Sequence, residues 1–205
     1  MNKYQPKILK ARLPVSIGFT ALLVFMVLFS TSIWETTHPV VEISLFVSAC
    51  FLVGIASLGR LWCSLYIAGY KLDTLVIHGP YSMCRNPLYF FSFLGGIGCG
   101  LATETLFIPL IIISFFTLYY PLVIKSEEIE LRKIHKQALD DYLNKTPAFF
   151  PKISLLLEPS QYLVNPKVFR KHIFDALWFI WLVGILEVIE GIHELHFMPI
   201  FFKLF

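Results

Sequence analysis

The 205 residues are 57% hydrophobic and 15% charged, with a mean hydropathy of +0.70 and a formal net charge of +3. An ordinary soluble domain carries about 25% charged residues, so the composition argues for a membrane protein and against a soluble enzyme. The basic residues are scattered between apolar runs rather than gathered in a stripe, which excludes a nucleic-acid binder.

Apolar runs extend along the whole chain and predict a single polytopic membrane domain over residues 1–205. The first span is residues 13–34, free of charge and long enough for the roughly 20 residues that cross a bilayer. Lys3, Lys7, Lys10 and Arg12 precede it like the start of a signal peptide. The apolar stretch is longer than the roughly 7–15 residues of a signal core, so it is expected to be retained. The second span covers 43–58 and continues as a helix past Arg60 towards Ala68. The third, 88–101, is short and glycine-rich, and a turn at Ala102-Thr103-Glu104 leads into the charge-free fourth span, 106–124. These two read as a helical hairpin.

Beyond it, residues 124–143 keep a helical period, with Glu128, Leu131, His135, Ala138 and Tyr142 on one face, until Pro147 and Pro151 end it. The periodicity places one of the adjacent pair Glu127-Glu128 on the face that meets protein. Residues 153–169 suggest no role. The last span lies within 172–190, with Trp178 and Trp181 inside it and Asp175 and Glu187 near its ends. The fold class expected is an all-α integral membrane protein of about five transmembrane helices, its helical hairpin and a cytosolic helix-loop segment forming the active site.

Lysine and arginine accumulate on the cytosolic side of membrane proteins. With a cytosolic N-terminus and the C-terminus on the opposite side, only Lys203 of the 17 basic residues falls outside. The stretch HGPYSMCRNPLY, residues 78–89, then shares the cytosolic face with Glu127 and Glu128. Ionisable groups at a membrane boundary usually pair or line a cavity, so Arg85 and the glutamates are functional candidates. Cys50, Cys63, Cys84 and Cys99 lack C-x-x-C spacing, and His38, His172, His193 and His196 have no metal-ligand spacing supported by a third donor. Neither a disulfide framework nor a metal ion is expected.

GPYSMCRNPLY is similar to the G-x-Y-x-x-x-R-H-P-x-Y motif of isoprenylcysteine carboxyl methyltransferases. SEEIELRKIHKQALDDYLNKTPAFFP is similar to the segment that follows in that family: two glutamates, a helix, a tyrosine and a proline pair. The resemblance covers 72–152, a methyltransferase-like region. Asn86 stands where that family has histidine, Lys136 where glycine is usual, Leu139 in place of a tyrosine, and Asp73 where a histidine often precedes the motif. N-P-x-Y is the form of the related phospholipid N-methyltransferases, whose glycine-rich span resembles Gly96-Ile97-Gly98.

The resemblance implies an S-adenosylmethionine-dependent enzyme. It suggests carboxyl O-methylation of an isoprenylcysteine-like lipophilic or prenylated acceptor, or alternatively N-methylation of a phospholipid amine. Membrane lipids are the expected surroundings, with neither nucleic acid nor metal as partner. Arg85, Asn86 and Glu128 are implied in catalysis. Gly79, Pro80, Tyr81, Arg85, Asn86, Pro87, Tyr89, Glu127 and Glu128 are implied around the cofactor, whose carboxylate, ammonium and sulfonium call for a cation, an anion and aromatic walls. Two rival readings are an NADPH-dependent enzyme like the sterol reductases, which carry a similar R-H-P-N-Y motif, and a non-catalytic membrane scaffold.

Overall fold

The computed structural model describes residues 7–70 and 74–205. Lys3, Lys71 and Asp73 lie outside the described residues, as does the first residue of the 72–152 region.

Helix α1 runs Lys7–Phe29 and stops where a serine-threonine run begins. The Ser30 hydroxyl donates back to the Met26 carbonyl at 2.6 Å, the local competition that makes such residues poor helix interiors. Ser30–Ser32 becomes a short strand, β1, paired in parallel with β2 (Phe202–Leu204) with Ser30 opposite Phe202. The first span is therefore shorter than expected: Trp34 belongs to a separate turn of helix, α2 (Trp34–Thr37).

Helix α3 (Pro39–Ile67) opens on Pro39, whose fixed φ suits a first helical turn. A single turn, α4 (Pro80–Met83), precedes α5 (Pro87–Leu101), and α6 (Phe107–Lys145) completes the expected hairpin and continues well past it. Helix α7 spans Pro166–Glu194, longer than expected at both ends. Its start is fixed by Asn165, whose side-chain oxygen accepts from the N–H groups of Lys167 (3.1 Å) and Val168 (3.3 Å), satisfying two otherwise orphan donors.

Three helices, α3, α6 and α7, are long and apolar enough to cross a membrane. The 15 residues of α5 rise only about 22 Å, and it is a shorter apolar helix, as is the 13–29 part of α1. The exterior is apolar: Phe51, Leu58, Leu118, Phe174 and Trp181 all face outward. Small residues fill the interior, where Ala49, Val53, Cys99, Ala102 and Leu186 form the core cluster. This arrangement suits lipid as solvent, since in hydrocarbon close backbone approach rather than apolar burial draws helices together. A Cβ at Gly98 would sit 2.8 Å from Val53 Cγ2, and one at Gly95 2.8 Å from the Phe179 ring. The glycines of α5 thus seat it against α3 and α7.

Arg60 lies in the interior of α3. Its guanidinium donates to Ser92 Oγ and to the Asp175 carbonyl (3.3 Å), and it sits 5.5 Å from the centre of the Phe179 ring. His193 is buried in α7, with Nε2 2.9 Å from the Leu28 carbonyl oxygen, and His196 lies in the turn that follows.

Helix α6 is broken at Lys136, which has φ 43° and ψ −119°. Gly79 adopts nearly the same geometry, φ 59° and ψ −132°. A side chain in this region costs on the order of 1–3 kcal/mol. Lys136→Gly should therefore raise stability by about 1 kcal/mol after the extra freedom of glycine in the unfolded chain is subtracted, measurable as a higher denaturation midpoint.

Candidate active site

At one end of the bundle, α3 ends, α5 and α7 begin, and the outer part of α6 passes by. The 78–89 stretch is clamped there from two directions. Below it, the Gly79 N–H donates to the Leu157 carbonyl at 2.9 Å, and the space a side chain would need at Gly79 is filled by the Tyr66 ring. The chain after α6 then folds back across it as a strap. The Arg85 N–H donates to the Pro147 carbonyl (2.9 Å), Asn86 Nδ2 to the Ala148 carbonyl (2.9 Å), and the Lys152 N–H to the Met83 carbonyl (3.0 Å). Ser82 Oγ accepts from the Leu157 N–H at 2.8 Å. Residues 146–162, largely without an assigned role in the sequence, are the other half of the motif's support.

The clamp fixes Arg85 against α6. Its Nη1 lies 2.8 Å from Glu128 Oε1, and both side chains are mostly shielded, 18% and 28% exposed. Tyr89 donates its phenolic hydrogen to Glu127 Oε1 at 2.6 Å. Both adjacent glutamates, not one of them, therefore meet protein: Arg85 reaches Glu128 from the turn before α5, and Tyr89 reaches Glu127 from the first turn of α5. The Tyr142 hydroxyl donates to the Tyr81 carbonyl at 2.6 Å, tying the end of α6 to the same stretch.

Arg85 lines two cavities. The first, about 580 Å³, is walled by Phe93, Phe116, Tyr120, Glu128, Phe149 and Phe150. It lies between α5 and α6, and Phe116 and Tyr120 stack within it at 3.9 Å. The second, about 810 Å³, is walled by Tyr70, Thr74, Tyr81, Leu131, Ile134 and Tyr142. Both volumes fall in the range of roughly 300–1,000 Å³ typical of small-molecule sites. Arg85 Nε is shut off from solvent with no hydrogen-bond partner. A buried guanidinium N–H without an acceptor is uncommon, and it fits a ligand that brings its own anionic oxygen.

Of the residues singled out from the sequence, Arg85 and Glu128 line the first cavity, and Arg85 and Tyr81 line the second. Glu127 and Tyr89 stand behind the pair, bonded to each other. Gly79, Pro80, Asn86 and Pro87 line neither cavity and serve as framework. The aromatic walls were missed, although Phe115-Phe116 and Tyr119-Tyr120 recur at helical spacing in α6 and could have indicated them. Burial pushes the Cys84 thiol up to about 12, so it stays protonated beside Arg85 and is a poor nucleophile. The same cause holds the Tyr81 phenol well above its usual range.

Asn86 contributes one neutral hydrogen bond to the strap, worth about 0.5–1.5 kcal/mol. Asn86→Ala should weaken ligand binding at the site by about three- to tenfold through a looser strap, against a far larger loss for Arg85 variants. Ligand titration of the two variants side by side checks this.

The model of the family described as phospholipid methyltransferase matches residues 40–138. Over 149 residues the chain is 42% identical to the nickel-cobalt-cadmium resistance protein NccN of Alcaligenes xylosoxydans xylosoxydans, covering 73% of this chain and 70% of that protein. It is also 39% identical over 167 residues to the cobalt-zinc-cadmium resistance protein CzcN of Cupriavidus metallidurans, covering 82% of this chain and 76% of that protein. The chain belongs to the phospholipid methyltransferase family. The family match takes in α3, the clamped stretch, α5 and the Glu127-Glu128 pair, and it ends in α6 before the strap. The family is related to the isoprenylcysteine carboxyl methyltransferases that the motif resembles. No solved structure matches the chain.

Proposed function

We propose that this member of the phospholipid methyltransferase family transfers a methyl group from S-adenosylmethionine to the carboxylate of a lipophilic, isoprenylcysteine-like acceptor. The observation that carries the reading is the position of Arg85, which lines two cavities and pairs with Glu128 in the wall of the first. A reaction between a water-soluble donor and a membrane-dissolved acceptor needs two such compartments meeting at one point.

The residues fit the cofactor. Arg85, with an unmatched Nε, suits a carboxylate, and Glu128 beside it suits an ammonium. The hydroxyl-bearing cavity of Tyr70, Thr74, Tyr81 and Tyr142 suits the nucleoside, whereas the phenylalanine-lined cavity between α5 and α6 suits a lipid chain arriving from the membrane. S-adenosylmethionine supplies a methyl group already carried by a good leaving group. The protein's part is then to align and to exclude water, effects worth up to about 7–11 kcal/mol.

The carboxylate is favoured over an amine on acid–base grounds. A protonated amine must first lose a proton, whereas a carboxylate is ionised at neutral pH. Asn86 cannot take that proton, Glu128 is engaged by Arg85, and the Tyr81 phenol holds its own proton. The distribution of lysine and arginine supports a cytosolic position for this end of the bundle. The relatives' names state resistance to metal ions and no reaction, so they leave the acceptor open.

The test is transfer of labelled methyl from S-adenosylmethionine, by detergent-purified protein, to farnesylcysteine derivatives and to aminophospholipids. The expected product carries label that base releases as methanol, the mark of an ester. Base-stable label in the aminophospholipid would instead establish the N-methyltransferase alternative. The absence of label in both, with NADPH bound, would favour the reductase.

A further inference from the structure

We propose that Glu42, Glu104 and Glu190 form a divalent-cation site at the end of the bundle opposite the cleft. They come from three separate elements: the first turn of α3, the turn joining α5 to α6, and the last turns of α7. One carboxylate oxygen from each lies within 4.8 Å of the other two. The wide separation of the three along the chain explains why spacing in the sequence shows no metal pattern.

Glu104 distinguishes this cluster from an ordinary acidic surface. It is only 7% exposed, and its Oε2 is shut off from solvent without a hydrogen-bond partner. The surrounding turn is fixed, since the Glu104 N–H donates to the Leu101 carbonyl (2.9 Å) and Ser32 Oγ donates to the Glu104 carbonyl (2.7 Å). The backbone that carries Glu104 is therefore tied to both α5 and β1. Among the described residues, none of the ion pairs joins a basic group to any of the three carboxylates. Buried negative charge of this kind is neutralised either by protons or by a bound cation.

The geometry selects the kind of cation. Three oxygens within 4.8 Å of one another lie at most about 2.8 Å from a common centre, so a small closing movement brings all three to the roughly 2.3–2.6 Å of bonds to calcium. A donor set of carboxylate oxygens alone, with no thiol or imidazole, suits hard ions such as calcium, magnesium and manganese. Such an ion would cross-link α3, the α5–α6 turn and α7 at the end where β1 and β2 pair.

Manganese is the probe, since binding removes its free-ion resonance signal. The detergent-purified full chain should bind one Mn²⁺, displaced by Ca²⁺, with a higher unfolding temperature when it is present. Glu104→Gln should weaken binding by more than about tenfold and abolish the thermal shift, while the metal-free variant is at least as stable as the parent because a repulsive charge has gone. Glu190→Gln provides a second variant with the same expected loss, and helical circular dichroism verifies folding of both. The proposal is overturned if the parent binds no Mn²⁺ at millimolar concentration. It is equally overturned if a folded Glu104→Gln protein binds Mn²⁺ as tightly as the parent.

Discussion

Arg85→Ala should lower methyl transfer by about 10²–10³-fold, the loss expected when one preorganised charged donor is removed from an active site. The side chain lines both cavities, and among the described residues no other cation lines both. Its loss also leaves Glu128 half-buried without its partner. A fully buried orphaned charge costs about 3–5 kcal/mol. Because Glu128 keeps some exposure, a smaller loss of about 1–3 kcal/mol in stability is expected. Arg85→Lys should restore the stability but not the activity, since an ammonium pairs with Glu128 but lacks the planar fork that can hold Glu128 and a second carboxylate together. Methyl transfer and thermal unfolding measured on both variants separate these effects. Full activity in Arg85→Ala would remove the residue from the site.

Gly79→Ala carries the largest expected effect on stability. The backbone at Gly79, φ 59° and ψ −132°, is one that essentially only glycine adopts without strain, a cost of about 1–3 kcal/mol for any other residue. The added methyl group would also overlap the ring of Tyr66. That ring cannot easily retreat: it is 5% exposed, packs 4.7 Å from Tyr162, and its hydroxyl lies 3.3 Å from Glu158. Together the two terms reach about 3–5 kcal/mol, a large part of the 5–15 kcal/mol that holds a typical domain together. The expected result is poor yield or early thermal unfolding, with proteolysis of the 152–165 segment, whose Leu157 is anchored to Gly79. Adding Tyr66→Ala to Gly79→Ala should recover the overlap term but not the backbone term, and a double-mutant cycle reads the difference.

Long apolar runs and their charged boundaries are a strong signal, and the five main helices follow them. The motif stretch and the two glutamates were legible because polar groups next to a bilayer are costly and must have a reason. The end of the first helix was not, because hydropathy registers charge and misses the pairing of Ser30–Ser32 with the distant Phe202–Leu204 strand. The strap was hidden for a different reason. Residues 146–165 have no hydrophobic period, and they are held by main-chain hydrogen bonds to Met83, Arg85 and Gly79 that leave no mark on the choice of side chain. The carboxylate cluster was hidden because its three members meet only once α3, the α5–α6 turn and α7 have packed. Lys136 lies between these cases: its departure from a usual glycine was visible, but its backbone strain became evident only with φ at 43°.

The central claim is that the Arg85–Glu128 wall holds S-adenosylmethionine. Equilibrium binding of S-adenosylmethionine and of NADPH to detergent-purified protein, with a Glu127→Ala/Glu128→Ala variant as control, tests it most directly. The account predicts saturable binding of S-adenosylmethionine by the parent, loss of that binding in the folded variant, and no binding of NADPH by either. Failure of the parent to bind S-adenosylmethionine, or unchanged binding in the variant, would contradict it.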